Sequence, residues 1–367
     1  MANMTKRERV ERAMALRETD RVPLYDLLRN DAAFEHFGGE RIQPLARDEA
    51  TIRRLERIAG KAVGRCLDMT RSFGFGPVAD EDTTDGFGFV WHASVFEKTT
   101  WLVRRPFQDE AGAVAFLKQW IRHYQDEARK VEQHPPTCRE QHHRRFLEVQ
   151  ALIGDTVNLL TEQGVGLDSV RHRLGLELFA YVAADDPGLV AEALEAETRY
   201  NLAVCHAIAD RNLSPAVLTF SDIACKQRLL HSPEFLRREI FPRLKRLNDA
   251  WHEHGFQCLF HSDGYLMDVL DDLVATGIDG LNPIETVAGM SLRAVRARYP
   301  NRLFLAGGID MSQLLSHGTP DAVRAACRDA IRDAGPGYLM GSTTEADNSC
   351  RLENLVAMYA AAREAHP

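Results

Sequence analysis

The sequence predicts a (β/α)8 barrel, and two observations lead to this fold class. From about residue 165, apolar strands alternate with helices without a long interruption, and such alternation produces a parallel sheet. Polar residues follow these strands at intervals of about one βα unit, as expected where strand ends converge on the mouth of a barrel. A doubly wound sheet fits the alternation too, but no G-x-G-x-x-G follows the first strand.

The first hundred residues are predicted to hold an opening helix, an edge strand and a hairpin. Thr5 and Glu8 have the spacing of a capping box for a helix over 6–17. Residues 22–25 follow as the first strand, which is entered through a proline as at a sheet edge. Residues 83–105 alternate aromatic and small side chains around two glycines, a pattern typical of a hairpin.

The most polar part of the chain comes next. Residues 112–134 and 139–163 are charged and predicted to be helical, with His134-Pro135-Pro136 breaking them apart. We expect 105–163 to be a helical surface excursion on a single-domain barrel that spans residues 1–367.

Regular βα units fill the second half of the chain. Pro233 is well placed to open one of its helices. The predicted helices are 188–210, a helix from 233, 265–276, 320–333 and 352–365, and the predicted strands are 216–220, 257–260, 277–281, 302–306 and 338–340.

Composition excludes several classes of protein. The chain has 367 residues, of which 45% are hydrophobic, enough for a large core. A formal net charge of -8 argues against a nucleic-acid partner, and no apolar run is long enough to span a membrane. The start is charged without an apolar signal core, and the seven cysteines are scattered with no C-x-x-C pair. We therefore expect a cytoplasmic protein.

Polar residues at the predicted strand ends are the candidate catalytic groups: Asp222, His261, Asp263, Glu285 and Asp310. His261 and Asp263 are two residues apart, so they lie on one side of an extended segment. Such a pair can give a nitrogen and an oxygen to one zinc ion, or form a carboxylate-oriented imidazole for proton transfer. It can equally cap the strand and begin the next helix.

The other candidates also have structural alternatives. Asp222 can act as a base or bind substrate, but Ser-Asp is also a turn sequence. Glu285 and Asp310 are both typical of helix starts. Gly307 and Gly308 would let a ligand approach the backbone closely, and with Trp91 and Asp310 they are the predicted substrate-binding residues.

These residues lie in motifs that resemble the uroporphyrinogen decarboxylase superfamily, which includes corrinoid-dependent methyltransferases. The most specific motifs lie in the second half, and the weakest similarity is over 105–163. The motifs are Thr5–Val10, Asp20–Pro23, Thr84–Trp91, Ser232–Phe235, His261–Gly264, Gly277–Glu285, Ala288–Met290, Gly307–Asp310, Gly318–Pro320 and Glu353–Leu355. The resemblance implies a (β/α)8 barrel, and a homodimer is usual in the family.

Departures from the family patterns guide the functional prediction. True decarboxylases carry an arginine-rich segment after the first strand, where this chain has only Arg29. The similar zinc methyltransferases bind zinc through a histidine, a cysteine two residues on, and a C-terminal cysteine. His261 matches the first, Asp263 replaces the second, and the third falls near Thr344, six residues from Cys350. The resemblance thus implies an oxygen-rich site of His261, Asp263 and Glu285, suited to an ether or hydroxyl oxygen.

The leading hypothesis is a methyltransferase that moves a methyl group between a small substrate, such as an aryl methyl ether, and a separate corrinoid protein. The chain has no Asp-x-His-x-x-Gly segment to bind a corrinoid itself. One alternative is a metal-free carboxy-lyase acting on a tetrapyrrole or another acidic substrate, with Arg29, Arg71 and Lys226 as its basic groups. The other is a non-catalytic barrel that binds a ligand.

Overall fold

The computed structural model describes residues 3–71 and 73–365. Its strands are β1 (Tyr25–Asp26), β2 (Met69–Thr70), β3 (Glu81–Thr84), β4 (Val90–Ser94), β5 (Thr99–Arg104), β6 (Val157–Asn158), β7 (Glu162–Gly164), β8 (Ala216–Phe220), β9 (Ala224–Cys225), β10 (Arg228–Leu229), β11 (Gln257–His261), β12 (Gly280–Asn282), β13 (Phe304–Ile309) and β14 (Tyr338–Ser342).

Helices fill most of the connections between these strands. They are α1 (Lys6–Met14), α2 (Asp31–Gly38), α3 (Glu49–Cys66), α4 (Glu110–Gln133), α5 (Pro135–Ile153), α6 (Leu167–Leu174), α7 (Leu176–Asp185), α8 (Pro187–Ile208), α9 (Pro233–Phe235), α10 (Phe241–Glu253), α11 (Leu270–Ala275), α12 (Leu292–Arg298), α13 (Pro320–Ala334) and α14 (Leu352–Glu364). Within the described residues, no helix has the length and apolar character needed to cross a membrane.

The parallel strands close into a barrel, which confirms the predicted fold class. One sheet has the order β1-β2-β6 and another the order β14-β13-β12-β11-β8-β7. The amide of Leu160, between β6 and β7, donates to Ala216 O over 3.0 Å, so β6 and β7 act as one interrupted barrel strand. A parallel bridge between Leu24 and Met340 joins the first strand to the last.

Two apolar layers hold the barrel together. The inner layer consists of side chains from the strands together with Val10, Ala13 and Met14 of α1, which closes the amino-terminal end. The outer layer lies between the strands and the surrounding helices. The predicted capping box opens α1: Thr5 Oγ1 accepts from the Glu8 amide and the Glu8 carboxylate accepts from the Thr5 amide. This helix ends at Met14, three residues earlier than expected.

The segment 105–163, predicted to be a surface excursion, lies mostly in the helical layer around the barrel. Helix α4 packs against α8, and α5 packs against α3 and α8, so both belong to the helical layer. Residues beyond α5 supply β6 and the start of β7 instead of continuing a helix. Val157 and Asn158 are buried and pair in parallel with Met69 and Thr70 of β2. They therefore form the third strand of the barrel.

The predicted hairpin is a three-stranded antiparallel sheet, in the order β3-β4-β5, outside the barrel. Trp91 of β4 stacks on His172 of α6, with ring centroids 5.5 Å apart, and its Nε1 donates to Asp85 over 3.0 Å. This sheet is therefore attached to α6, which follows β7 at the carboxyl ends of the barrel strands.

Candidate active site

Strand register decides which polar residues meet at the carboxyl-terminal mouth. Phe220 of β8 is paired with His261 of β11, and His261 is paired with Asn282 of β12. Asp222 and Asp263 are each two residues beyond a paired position, so they lie level with each other, and the Asp263 amide donates to Asp222 Oδ1 over 3.3 Å.

Glu285 is three residues beyond the paired Asn282 and lies level with Gly264. The Gly264 amide accordingly donates to Glu285 Oε2 over 2.7 Å. Asp222, His261, Asp263 and Glu285, which come from separate βα units, thus lie near one another. Glu285 is level with Gly264 and not with Asp263, so it lies further from His261 along the strand direction than Asp222 does.

His261 is held by a buried partner that the sequence did not reveal. Its Nδ1 lies 2.8 Å from Asn282 Oδ1, and only 7% of the histidine is exposed. Asn282 Nδ2 donates to Ala306 O over 3.3 Å, so the asparagine oxygen faces His261 as an acceptor. The network therefore assigns the imidazole proton to Nδ1, leaving Nε2 with a lone pair, the arrangement that suits a metal ligand or a base.

Asp222, His261 and Asp263 form a compact group at this mouth. Each offers one ligand atom, and these atoms all lie within 4.8 Å of one another. The predicted metal set was His261, Asp263 and Glu285, and the compact group contains the first two of these with Asp222 as its third member. Among the groups found in the described residues, the one at the mouth contains no cysteine.

Burial and like charges control the protonation of the site. Burial lowers the pKa of His261, with the nearby Arg71 guanidinium adding to the effect. Burial also raises the pKa of Glu285, and the carboxylates of Asp263 and Asp310 raise it further. The site therefore favours a neutral imidazole at His261 and, at Glu285, a carboxyl group that holds its proton more tightly than usual.

A hydroxyl stands where the resemblance predicts the third zinc ligand. Thr344 Oγ1 donates to Asp263 Oδ1 over 2.8 Å. The Thr344 backbone has φ 77°, a strained conformation for a β-branched residue. Cys350 is buried elsewhere, where its carbonyl accepts from Asn30 Nδ2 over 2.9 Å. Asp263 is thus oriented by Thr344. The motif spacing had identified this position only as the place where related enzymes have a third zinc ligand.

The loop that carries Asp222 is fixed by α6, a helix that the sequence analysis missed. Asp168 Oδ1 accepts from the Asp222 amide over 3.0 Å and from Arg171 Nη2 over 2.7 Å. Arg171 also donates to the Asp222 carbonyl. Burial raises the pKa of Asp168 to about 6. The burial of this acid is unfavourable, and its hydrogen bonds orient the loop that carries Asp222.

One buried cation lies beside the group. Arg71 follows β2, and only 10% of its side chain is exposed. Its Nη1 is 3.8 Å from Glu162 Oε2, too far for a hydrogen bond. Sequence reasoning named Arg71 only as a basic group for the lyase alternative, because nothing in the sequence showed β2 ending at the mouth.

The predicted substrate-binding residues have structural roles in the described chain. Asp310 caps the turn after β13, where its carboxylate accepts from the amides of Ser312, Gln313 and Leu314. Gly307 and Gly308 have φ near 90°. A Cβ on Gly307 would lie 3.3 Å from Asn282 Nδ2, so this glycine makes room for the partner of His261.

Comparison with known proteins defines the class of this barrel. The family model described as uroporphyrinogen decarboxylase (URO-D) matches residues 174–365. The chain belongs to this family, as the motifs of its second half predicted. The matched segment contains Asp222, His261, Asp263 and Glu285. No curated protein matches the chain.

Two solved structures are similar to the chain. A methyltransferase from Methanosarcina mazei has 16% sequence identity and a TM-score of 0.65, and the match covers 98% of this chain and 99% of that one. A putative vitamin-B12 independent methionine synthase from Listeria monocytogenes has 14% identity, a TM-score of 0.36 and coverage of 60% and 67%. The first supports the barrel fold over the whole chain, and the second is too distant for any argument.

Proposed function

We propose that this protein is a methyltransferase that transfers a methyl group from a small methylated substrate, such as an aryl methyl ether, to a corrinoid bound by a separate protein. The observation that carries the proposal is the group formed by Asp222, His261 and Asp263 at the barrel mouth. Membership of the family and the fold shared with a methyltransferase support the same reading.

The donor set fits a zinc ion. One imidazole nitrogen and two carboxylate oxygens are ligands that catalytic zinc sites use, with a fourth position open to substrate. The Asn282 contact leaves His261 Nε2 unprotonated, and the depressed pKa of His261 keeps the ring neutral. A bound zinc ion would act as a Lewis acid on the substrate oxygen and make it a better leaving group.

Glu285 supplies the proton in this scheme. In ether cleavage the bond between the methyl carbon and the oxygen breaks, the electron pair stays on the oxygen, and the methyl group passes to the acceptor. The oxygen then needs a proton, and Glu285 has a raised pKa, to which the Asp263 carboxylate contributes. A carboxyl group with a raised pKa keeps its proton to higher pH than an ordinary glutamic acid does, which suits general acid catalysis.

The experiment that tests this proposal measures methyl transfer from aryl methyl ethers to reduced free cobalamin, followed by absorbance. We expect turnover with wild-type protein and a loss of about 100-fold or more in His261→Ala. His317→Ala, a substitution at an exposed histidine in another part of the chain, serves as the control and should retain activity.

Zinc content provides the second readout. After dialysis against trace zinc, His261→Ala and Asp222→Ala should each bind one zinc ion fewer per chain than the wild type. A folded wild-type protein that neither transfers methyl groups nor loses zinc in these variants contradicts the proposal, and leaves the non-catalytic barrel as the better reading.

A second candidate function is a carboxy-lyase acting on an acidic substrate, and the buried Arg71 favours it. Its guanidinium lies 3.8 Å from the Glu162 carboxylate, beyond hydrogen-bonding distance, and near enough to His261 to affect the histidine pKa. Such a group can bind a substrate carboxylate. Carbon dioxide release from a tetrapyrrole or another polycarboxylate, unaffected by chelators, would support this reading instead.

A further inference from the structure

A second group of metal-ligating side chains lies at the opposite end of the barrel. The end of α8 supplies Cys205 and His206, and the residue after α10, His254, lies against them. His206 Nδ1 and His254 Nε2 are 3.0 Å apart. One nitrogen or sulfur atom from each of the three residues lies within 4.8 Å of the other two.

The two segments that carry this group are joined independently of it. Arg211 Nη1 donates to Pro215 O over 2.9 Å and to Gly255 O over 2.6 Å, which links the turn after α8 to the turn after α10. Gly255 has φ 76°, a left-handed conformation that reverses the chain directly after His254. The backbone therefore holds the imidazoles together without requiring their mutual contact.

The three side chains differ in their exposure to solvent, and this difference suits the binding of an ion. Cys205 is fully buried, whereas His206 is exposed and His254 is partly exposed. A hydrogen bond between two ring nitrogens needs one of them as an acceptor, so at least one lone pair already points into the group. Solvent reaches the imidazoles, and the thiol closes the inner side.

A neighbouring trio at the same end, His252, Cys258 and Asp279, differs because its ligand atoms already have protein partners. His252 Nε2 lies 2.7 Å from Asp279 Oδ2, and the same oxygen accepts from the Cys258 amide over 2.8 Å. Arg302 adds an ion pair to Asp279 at 3.6 Å. That carboxylate is committed to protein partners, whereas the second group consists of a thiol and two imidazoles, and the negative charge of Glu253 acts on Cys205 and His254.

We propose that Cys205, His206 and His254 bind a zinc ion that clamps α8 to α10 at the amino-terminal end of the barrel. Two imidazole nitrogens and one thiolate are a donor set for zinc rather than for magnesium or calcium. Binding requires the side chains to move until the ligand atoms lie about 2.0–2.3 Å from the ion. The Cys205 thiol loses its proton to solvent as the metal–sulfur bond forms.

Cobalt(II) is the probe that separates this site from the one at the mouth. A thiolate bound to cobalt gives a charge-transfer absorption, and the mouth group of Asp222, His261 and Asp263 contains no thiolate. We expect this band in the wild-type protein, its displacement by zinc, and its loss in Cys205→Ser. Cys258→Ser, in the neighbouring trio, is the matched control and should keep the band.

His206→Ala is the second variant, because an exposed side chain can be removed without disturbing the core. It should weaken cobalt binding, followed by the thiolate band, by about tenfold or more. In a His261→Ala background, which removes the mouth site, zinc should raise the melting temperature by a few degrees, and adding His206→Ala should abolish this rise. Absence of the band in folded wild-type protein, or its persistence in Cys205→Ser and His206→Ala, overturns the proposal. Methyl-transfer activity bears on neither result.

Discussion

The two ends of the barrel use buried carboxylates in opposite ways. At the closed end, Asp68 accepts from Arg9, from Arg21 and from the Leu24 amide at 2.7–2.9 Å. Arg9 also binds Asp20 and lowers the pKa of that carboxyl to about 2. Each acid there has a cation beside it.

At the open mouth, several acids lie close to other acids, although Asp168 there is paired with Arg171. Asp222 and Asp263 share one small group, Glu285 has a raised pKa, and burial raises the pKa of Asp26 to about 6. Unfavourable contacts of this kind persist only where the surrounding structure enforces them, and they are typical of functional sites. The comparison indicates that the charged groups at the closed end stabilise the fold and that those at the mouth lower its stability.

Asp68→Ala would break the closed end and should have the largest effect on stability. It leaves the Arg9 and Arg21 guanidinium groups buried without their shared acid, at a cost of about 3–5 kcal/mol in the free energy of unfolding. Urea denaturation measures this cost. Asp155→Ala is the control at the same end, because its ion pair with Lys6 involves a carboxylate whose side chain is 72% exposed, and it should cost less than about 1 kcal/mol.

Substitutions of Thr344 would sharpen the contrast at the mouth. Thr344→Val keeps the branched side chain at positive φ but removes the hydroxyl that holds Asp263, and we expect activity to fall about 10- to 100-fold. Thr344→Gly also removes the hydroxyl and relieves the backbone strain, so its free energy of unfolding should stay within about 1 kcal/mol of the wild type or rise. Full activity in Thr344→Val would show that Asp263 needs no orientation by this residue.

His252 gives the smallest expected effect, a pH dependence at the closed end. Its hydrogen bond to Asp279 raises the pKa of His252 above the usual 6.5. A pKa that is higher in the folded state adds stability below the unfolded value, and this stability is lost as pH rises through the folded value.

His252→Gln should therefore lower the free energy of unfolding more at pH 5.5 than at pH 8.5, by no more than about 1 kcal/mol because the pair is partly exposed. His317→Gln, at an exposed histidine, should show no such difference. An equal loss at both pH values for His252→Gln would mean that packing, and not charge, stabilises this contact.

Sequence reasoning identified the regular half of the barrel because each unit there has a long apolar strand and an amphipathic helix. It missed β2, β6 and the continuation into β7, where strands of two or three residues carry too little periodicity to be distinguished from helix or loop. It extended a helix through Val157, whose neighbours form the third barrel strand.

The candidate site was predictable as a set of strand ends but not as a set of contacts. Counting residues between motifs places His261 and Glu285 one unit apart, yet register determines that Asn282 meets His261 while Glu285 meets Gly264. Register depends on pairing across the whole barrel. Arg71 and Asp168 could not be placed at the site because β2, which precedes Arg71, and α6, which carries Asp168, have no clear sequence signal. The contact between Asn282 and His261 depends on the register of β11 and β12.

Closure of the barrel has a consequence for how the protein folds. Ser342 Oγ donates to Asp26 Oδ1 over 2.7 Å, across 316 residues of chain, and Leu24 pairs with Met340 beside it. During synthesis β1 emerges first, but its second neighbour emerges almost last, so one edge of β1 stays unpaired until the chain is nearly complete. Contacts of such sequence separation form slowly, which makes this seam between the first and last strands the natural place for a late folding step and for exposure of an open strand edge to aggregation.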